Sequence, residues 1–332
     1  MIVYADTIGF ADEVIRDASK LWSSPASPRP EIRRLCGSLY QGNAFHQSSL
    51  ESDLLWKYLF LVEHAPRSHY DLLIELARGG SGLPDGVLCL AGSGDRFHGF
   101  KDRPWSACPG NVHLSAYLAP ARPIAQYGVG FTILAAVSVV DAIDSIPGFN
   151  ARAGIKWVND ILIEGSKVCG VVAYTQTANG TVSAAIIGMG LNVETTPSVE
   201  PTLFVPRVAA LRDFASDPSA ITQALAFDKL IRALDSNYRL LLEGRNRVLL
   251  DRYRERSLIL GRKVSIRLDE AGFESETFAA GRVRDIGENL ELILEGVSQP
   301  VWKGRLILED EVRRQVVDLK RECGKVRAQA KR

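Results

Sequence analysis

Residues 154–172 read GIKWVNDILIEGSKVCGVV and combine polar side chains with runs of Ile, Leu and Val. Such apolar runs are typical of buried strands. The polar positions that matter here are Lys156, Asn159, Asp160 and Lys167. An unpaired charge is costly to bury, and a folded core has no use for several of them packed closely together. These side chains therefore either neutralise one another or meet a charged ligand.

The stretch is interpreted as strands that fold back at a Gly-Ser turn. Because side chains alternate along a strand, Lys156 and Asn159 are expected on opposite faces, and the return strand brings Lys167 back beside them. Two ammonium groups in one pocket would neutralise a phosphate and polarise a carbonyl, while Asp160 and Asn159 would offer oxygen ligands to Mg²⁺. The alternative is a Lys–Asp salt bridge at a sheet edge that satisfies itself.

Length and charge exclude some classes of protein. The 332 residues suffice for two domains, or for one large domain with an appendage. The net charge of +1 provides no field that would gather nucleic acid, so no nucleic-acid partner is expected. A DNA-binding repressor is also disfavoured, because residues 1–55 show no helix-turn-helix pair with a basic recognition helix.

Cysteine use and hydropathy indicate a soluble cytoplasmic protein. The five cysteines are scattered without a CxxC pair, a pattern typical of reduced thiols. The N-terminus has no basic region before its apolar residues, so it does not resemble a signal peptide. The most apolar window, residues 127–143, is interrupted by Gly, Ser and Asp and predicts a buried helix, not a membrane span.

The remaining pattern divides the chain into segments. Strands are predicted over residues 155–163, 167–177 and 181–193, followed by a helix over 217–243 that Asp217 would cap. Short strands broken by Gly and acidic turns follow Gly261 and predict a small barrel of SH3-like size. Residues 1–55 are an N-terminal extension of unknown role, and residues 56–255 are the main domain. Residues 258–310 are a small β domain, and residues 311–332 are a charged tail that is predicted to be a solvated helix.

Several blocks of this sequence resemble those of biotin protein ligases. The KWVND of residues 156–160, followed by Lys167 and CGVV, resembles their KWPND…K…G signature. AAIIGMGLNVE at 184–194 is similar to their IGIGLNVN block, and WSACPGNVHLS at 105–115 is similar to their W-S-P-G-N-L-x-x-S. The resemblance runs from about residue 56 to 310, with the C-terminal strands resembling the small barrel of the family.

The resemblance implies both a fold and a reaction. The fold is α+β, a mixed and mostly antiparallel sheet flanked by helices, with a small C-terminal SH3-like β-barrel. The reaction is ATP-dependent and AMP-forming: biotin, with ATP and Mg²⁺, becomes biotinyl-adenylate, and the acyl group passes to a lysine. The implied partner is the biotin carboxyl-carrier domain of a biotin-dependent carboxylase. No membrane partner is expected, and the protein is expected to be a monomer or homodimer.

The resemblance also assigns roles to individual residues. It implies catalytic roles for Lys167, Lys156 and Arg103. It implies binding of ATP or the adenylate by Asn159, Asp160, Gly99, Trp105 and Asn192, with Asp160 meeting Mg²⁺ through ATP. It implies binding of the acid by Gly110, Asn111, Gly170 and Ser68.

The loop of residues 92–105, GSGDRFHGFKDRPW, departs from the family pattern. His98 and Phe100 stand where the family has arginines that close over the adenylate, and Arg96 and Lys101 would supply charge from shifted positions. The glutamine that usually precedes this loop is also missing. These departures keep two alternatives open: a lipoate- or octanoate-type acyl-protein ligase or transferase of the same fold, and a non-catalytic ligand-binding or regulatory homologue.

Overall fold

The computed structural model describes residues 1–16, 21–24, 27–80, 82–268 and 277–309. Its strands are β1 (Ile2–Ala5), β2 (His46–Ser49), β3 (Tyr58–Ala65), β4 (Val87–Gly94), β5 (Val112–Leu118), β6 (Ala153–Lys156), β7 (Asp160–Ile163), β8 (Ser166–Ala178), β9 (Thr181–Leu191), β10 (Lys263–Arg267), β11 (Thr277–Ile286), β12 (Leu292–Leu294) and β13 (Arg305–Leu308). Its α-helices are α1 (Ile8–Val14), α2 (Arg33–Tyr40), α3 (His69–Arg78), α4 (Tyr127–Asp144), α5 (Gln223–Leu242) and α6 (Asn246–Glu255).

A nine-stranded sheet forms the centre of the molecule, in the order β2-β1-β3-β4-β5-β9-β8-β7-β6. Strands β1, β3 and β4 run parallel to one another, and every other neighbouring pair in this sheet is antiparallel. With its flanking helices the sheet confirms the predicted α+β class. Strand β9 forms hydrogen bonds with β5 on one side and with β8 on the other, so the positions of these three strands are fixed relative to each other.

Residues 1–55 contribute two strands to this sheet. Strand β1 pairs in parallel with β3, while β2 pairs with the other edge of β1. Tyr4 of β1 stacks on Phe60 of β3 with ring centres 5.3 Å apart, and Tyr4 is fully buried. The extension therefore packs into the same core as the main domain.

Helix α4 is the buried helix predicted from the apolar window. By length and composition it could cross a membrane, but 67% of it is buried inside this fold. It packs between the sheet and α5, where the amide nitrogen of Asn237 donates to Ser138 Oγ at 3.2 Å and to Asp141 Oδ2 at 2.8 Å. The few polar groups in this helical layer thus satisfy one another, as buried polar groups must.

The prediction of one strand over residues 155–163 was wrong. Two antiparallel strands, β6 and β7, replace it, and Lys156 stands directly opposite Asp160 across the pair. The hairpin turn is present one residue earlier than the predicted Gly-Ser pair: Glu164 and Gly165 both have positive φ, the geometry of a type I′ turn, and Ser166 already begins β8. The additional turn at 157–159 changes the direction in which the Lys156 side chain points.

The predicted helix over 217–243 begins later than expected. Asp217 caps only a short 3-10 turn, Pro218–Ala220, and helix α5 begins at Gln223. The N-cap of α5 is Thr222, whose Oγ1 accepts from the backbone N–H of Leu225 at 3.2 Å. Helix α6 follows α5 after Gly244 and was not predicted.

The C-terminal strands form a separate four-stranded sheet in the order β12-β11-β10-β13. This small sheet lies where the sequence predicted a small barrel. It is fastened to the main sheet by Trp157, whose Nε1 donates to the carbonyl of Leu290 at 2.7 Å. Arg254 of α6 donates similarly to Ile286 at 2.8 Å. The predicted tail helix at 311–332 lies outside the described residues.

Replacing each of the two cap residues, Thr222 and Asp217, by alanine tests whether α5 begins at Gln223. Thr222→Ala removes an N-cap of a 20-residue helix and should lower the free energy of unfolding by about 1 kcal/mol. Asp217→Ala, which affects only the short turn, should cost clearly less. Urea unfolding of both variants measures the difference, and a larger loss for Asp217→Ala would restore the original boundary.

Candidate functional site

A cavity of about 560 Å³ opens on the face of the sheet where β5, β8 and β9 lie side by side. The segment 97–106 borders it on one side and the segment 197–208 on the other. Along β9 the cavity extends from Gly188 to Asn192, a span of four residues and so roughly 13 Å. One end lies against Ser68 and Tyr70 at the start of α3, and the other end lies against segment 197–208.

The indole of Trp105 lies on the floor of this cavity, against two glycines. A Cβ atom built at Gly190 would overlap the indole ring, and one built at Gly170 would lie 3.6 Å from Trp105 Cζ3 and 3.3 Å from Lys167 Nζ. These positions on neighbouring strands are paired directly across the sheet. Glycine is therefore required at 190, and its presence at 170 leaves room for Lys167 beside the indole.

His113 holds the indole from below. Trp105 Nε1 donates to His113 Nδ1 at 3.3 Å, and His113 Nε2 donates to the carbonyl of Cys108 at 3.0 Å. Burial lowers the pKa of His113 to about 4, which keeps the ring neutral with one donor and one acceptor. His113 is therefore a buried, hydrogen-bonded histidine whose ring also borders the cavity.

Lys167 and Asp160 form an ion pair at the cavity wall. Lys167 Nζ lies 2.6 Å from Asp160 Oδ1, and the two side chains are 19% and 22% exposed. The same ammonium group lies 5.7 Å from the centre of the Trp105 ring, within cation–π distance. The pair is thus the salt bridge that sequence alone allowed, yet it lines the cavity and presents a cation to any ligand there.

The cavity brings together most of the residues predicted for the site. Those that line it are Lys167, Arg103, Asn159, Asp160, Gly99, Trp105, Asn192, Gly170 and Ser68. Those that do not line it are Lys156, Gly110 and Asn111. What each lining residue does with a ligand stays a prediction.

Lys156 does not converge with Lys167 on the cavity, so that prediction was wrong. Its side chain is 4% exposed, and its Nζ donates to the carbonyl of Phe204 at 2.5 Å. The cause is the turn at residues 157–159, which places Lys156 at the end of β6. Lys156 therefore holds segment 197–208, which forms one wall of the cavity.

Asn111 also lies outside the cavity, as a fully buried anchor. Its Oδ1 accepts from the backbone N–H groups of Val193, Glu194 and Thr195, at 2.8, 3.2 and 3.1 Å. Its Nδ2 donates to the carbonyl of Thr195 at 2.8 Å. This one side chain fixes the chain after β9, and the neighbouring Gly110 borders a different cleft.

The loop cations are arranged differently from the prediction. Arg96 donates to the carbonyl of Pro66 at 3.1 and 2.9 Å, and neither Arg96 nor Lys101 lines the cavity. Arg103 does line it, with its Nε donating to the carbonyl of Phe100 at 2.8 Å. Of the loop cations that the prediction named, Arg103 alone reaches the cavity in the described part of the chain.

His98 fastens this loop to α3. Its Nε2 lies 2.7 Å from Asp71 Oδ2, and its Nδ1 lies 3.0 Å from the carbonyl of Gly99 and 3.7 Å from Asp102 Oδ1. The Gly99 carbonyl and then Asp71 raise the pKa of His98 above its usual value of 6.5. With acceptors at both ring nitrogens, the protonated ring donates on both sides and joins the loop to the helix.

Sequence reasoning missed Tyr70, Glu200 and Arg305, which also line the cavity. Tyr70 comes from α3, Glu200 from the segment after β9, and Arg305 from β13 of the small sheet. No local pattern signals them, because each reaches the site through packing between elements distant in sequence.

The donor set does not fit a metal ion held by the protein alone. Asp160 Oδ1 is already paired with Lys167, and the side-chain amide of Asn159 donates to the carbonyl of Val171 at 2.6 Å. The described residues contain no group of three His, Cys, Asp or Glu side chains suited to a metal. Mg²⁺ is commonly bound mainly by substrate phosphates, so Asp160 as its ligand stays a prediction.

Comparisons with known proteins agree with this fold. A model of the Biotin/lipoate A/B protein ligase family matches residues 103–192. The structure of biotin protein ligase from Aquifex aeolicus in complex with biotin and ATP aligns with a TM-score of 0.55 at 18% identity, covering 76% of this chain and 99% of that chain.

Among curated proteins, the bifunctional ligase/repressor BirA of Bacillus subtilis is 32% identical over 157 residues, which are 47% of either chain. The biotin--[acetyl-CoA-carboxylase] ligase of Paracoccus denitrificans is 30% identical over 44% of this chain and 62% of its own. The biotin--[acetyl-CoA-carboxylase] ligase of Mycobacterium tuberculosis is 28% identical over 73% of this chain and 88% of its own. The match thus spans about half of the length of the Bacillus subtilis relative.

The fold resembles that of the biotin/lipoate protein ligases, and the model of that family matches residues 103–192 of this chain. Within that group the chain is similar to the biotin protein ligases, as the resemblance of its KWVND and GMGLN blocks predicted.

Asn111→Ala tests the anchor reading of this residue. The change leaves the backbone N–H groups of Val193 and Thr195 without an acceptor, and that of Glu194 keeps only its 3.3 Å bond to the carbonyl of Gly110, so the free energy of unfolding should fall by about 3 kcal/mol. Asn159→Ala, which removes one side-chain donor to Val171, should cost about 1 kcal/mol. Urea unfolding measures both free energies. Equal losses would show that Asn111 contributes no more to stability than a residue with a single side-chain hydrogen bond.

His98 should stabilise the protein in a pH-dependent way. Its folded-state pKa is raised, so its contribution is complete below the unfolded pKa and is lost as the pH rises through the folded pKa. The stability difference between the protein and His98→Asn should therefore be largest in mild acid and shrink at alkaline pH. Asp71→Asn should reduce this pH dependence without abolishing it, because the Gly99 carbonyl also raises the pKa of His98. A difference that grows with pH would contradict the proposed ion pair.

Proposed function

We propose that this chain activates biotin with ATP and transfers the biotinyl group to a lysine of a carrier domain. The observation that carries the proposal is the cavity wall, where Lys167, Asp160 and Trp105 meet between two glycine-bearing strands. The supporting comparisons are relatives named biotin--[acetyl-CoA-carboxylase] ligase and a structural neighbour in complex with biotin and ATP.

The first step joins the acid to the nucleotide. A carboxylate oxygen of biotin attacks the α-phosphorus of ATP, and the bond from that phosphorus to the bridging oxygen breaks, releasing pyrophosphate. Negative charge grows on the phosphate oxygens during this step. Lys167, already held against Trp105 and Asp160, offers a fixed cation there without reorganisation.

The second step uses the activated acyl group. The neutral amine of the carrier lysine attacks the acyl carbon, the bond from that carbon to the phosphate oxygen breaks, and AMP leaves while the amine proton passes to solvent. A free carboxylate resists this attack at neutral pH, whereas an acyl-adenylate has a good leaving group. In this proposal the loop at 97–106, which borders the cavity, shields the intermediate from water that would hydrolyse it.

The two ends of the cavity suit the two halves of the adenylate. At the α3 end the lining is Ser68, Tyr70 and Phe97, a largely apolar surface with a few polar groups for the acid. At the other end Asn192 is fully buried, and its Oδ1 has no hydrogen-bond partner among the described residues. An N–H donor such as the adenine amine would satisfy that oxygen.

The magnesium ion in this proposal arrives with ATP, bound by its phosphates. The carrier is a biotin carboxyl-carrier domain, in keeping with the names of the relatives, and the reaction is placed in the cytoplasm. We also propose that the protein is a monomer or a homodimer and that it has no nucleic-acid or membrane partner.

Mass spectrometry of the adenylate tests the choice of acid. The purified chain is incubated with ATP, Mg²⁺ and biotin, lipoate or octanoate in separate reactions. Biotinyl-adenylate should form in preference to the others. Formation of only lipoyl- or octanoyl-adenylate would overturn the assignment of biotin.

Lys167→Ala should lower the single-turnover rate of adenylate formation about a hundredfold, because it removes a preorganised cation from the transition state. As a control, Arg232→Ala breaks an ion pair of similar length, 2.8 Å to Asp228, on the exposed side of α5. That control should leave the rate unchanged. If Lys167→Ala forms the adenylate at a near-normal rate, the ion pair with Asp160 is structural only.

A further inference from the structure

Tyr70 stands at the α3 end of the cavity. It lies in the first turn of α3, and its ring rests on β9: a Cβ atom built at Gly188 would lie 3.1 Å from Tyr70 Cδ2 and 3.3 Å from Tyr70 Cγ. Tyr70 and Gly188 both line the cavity. The ring is therefore packed directly on the bare backbone of the sheet.

The sheet beyond Gly188 is filled by core residues. Two residues further along β9, on the same face, lies Ile186, which is fully buried and pairs with Tyr117 of β5 and Tyr174 of β8. These three side chains pack in or against the buried cluster that α3 shares with this face, and none of the three lines the cavity. Tyr70 therefore separates the open part of this face from the packed part.

Neighbouring side chains fill the space behind the Tyr70 ring. Arg78 Nε donates to Tyr174 Oη at 3.3 Å, and the guanidinium carbon of Arg78 lies 5.1 Å from the centre of the Tyr174 ring. Both residues lie near enough to Tyr70 to act on the charge of its hydroxyl. Burial, followed by the charge of Asp71, raises the pKa of Tyr70, so the hydroxyl stays neutral. The end of the cavity is thus a neutral aromatic side chain with little room to retreat.

The position of the cation sets the direction of a bound acid. Lys167 lies against the Trp105 indole, which rests on Gly190. Gly188 follows Gly190 on the same face of β9, roughly 7 Å further on. An acid whose carboxylate meets Lys167 therefore extends its tail along β9 until the tail reaches Tyr70.

We propose that Tyr70 sets the length of the acid that this chain accepts and excludes unbranched acids with longer tails. The inference rests on the proposed function, which places the carboxylate at Lys167 and the tail at the α3 end. A tail that is too long has to displace a ring that is packed on Gly188 and cannot move into the sheet. Tyr70 is then a specificity-determining residue, because it decides which acids fit and takes no part in the chemistry.

Calorimetric binding of straight-chain acids from hexanoate to dodecanoate, without ATP, tests this role. In the unaltered chain each added methylene should strengthen binding about fourfold, the value of burying one such group, until the tail reaches Tyr70. Longer acids should then bind no better or more weakly. Tyr70→Ala should move this limit to longer acids, whereas Tyr70→Phe, which keeps the ring, should leave the limit in place.

Tyr127→Ala is the matched control, since Tyr127 is an exposed tyrosine at the start of α4 that does not line the cavity. It should leave the whole series unchanged. An equal loss of affinity for all acids in Tyr70→Ala would mean that the ring only supports the fold. A limit that does not move, or an unaltered chain that binds none of these acids, would also overturn the proposal. If Tyr70→Ala does not fold, Tyr70→Leu gives the same comparison with more of the side chain retained.

The series separates this inference from the proposed function. A limit that moves in Tyr70→Ala, in a chain that forms no adenylate from any acid, would refute the function and support the role of Tyr70. Formation of biotinyl-adenylate by a chain whose limit stays in place in Tyr70→Ala would do the opposite.

Discussion

The site depends on the close contact between the Trp105 indole and the bare backbone of two neighbouring strands. Gly190 lies under the ring and Gly170 beside it, so the indole rests on the sheet itself. Two side chains then take their places from the ring: His113 accepts its N–H from below, and Lys167 lies over its face. A side chain at position 190 would lift the indole and disturb both contacts at once.

The same contact makes the Lys167–Asp160 pair useful. A salt bridge at a sheet edge contributes little to stability when it is open to solvent. Here the pair is about one-fifth exposed and faces a cavity, so part of its hydration has been removed. A ligand phosphate can replace the missing water, and Lys167 then interacts with it more strongly than an exposed lysine would. The salt-bridge interpretation of the opening stretch is therefore confirmed, and the ligand-site interpretation is compatible with the same geometry and stays a prediction.

The sequence predicted the fold class, the small C-terminal sheet and the convergence of Asn159, Asp160 and Lys167 on one cavity, because these depend on local period, turn residues and recognisable blocks. It failed where one turn changes a direction: the turn at 157–159 removes Lys156 from the cavity. It also failed for Asn111, whose three backbone partners lie some eighty residues away in the chain. No spacing rule within one segment contains that information.

The loop at 92–105 is held beside the cavity by bonds within the protein itself. Arginines that bind a ligand hold a loop only while the ligand is present. His98 instead binds Asp71 of α3, and the loop pairs with itself through Gly99 and Arg103, whose backbone groups are 2.7 Å apart. These bonds exist without a ligand, so less ordering is left for the ligand to bring about and less affinity is lost to it. The ion pair also ties closure to the protonation of one imidazole, which makes the loop weakest where His98 is neutral.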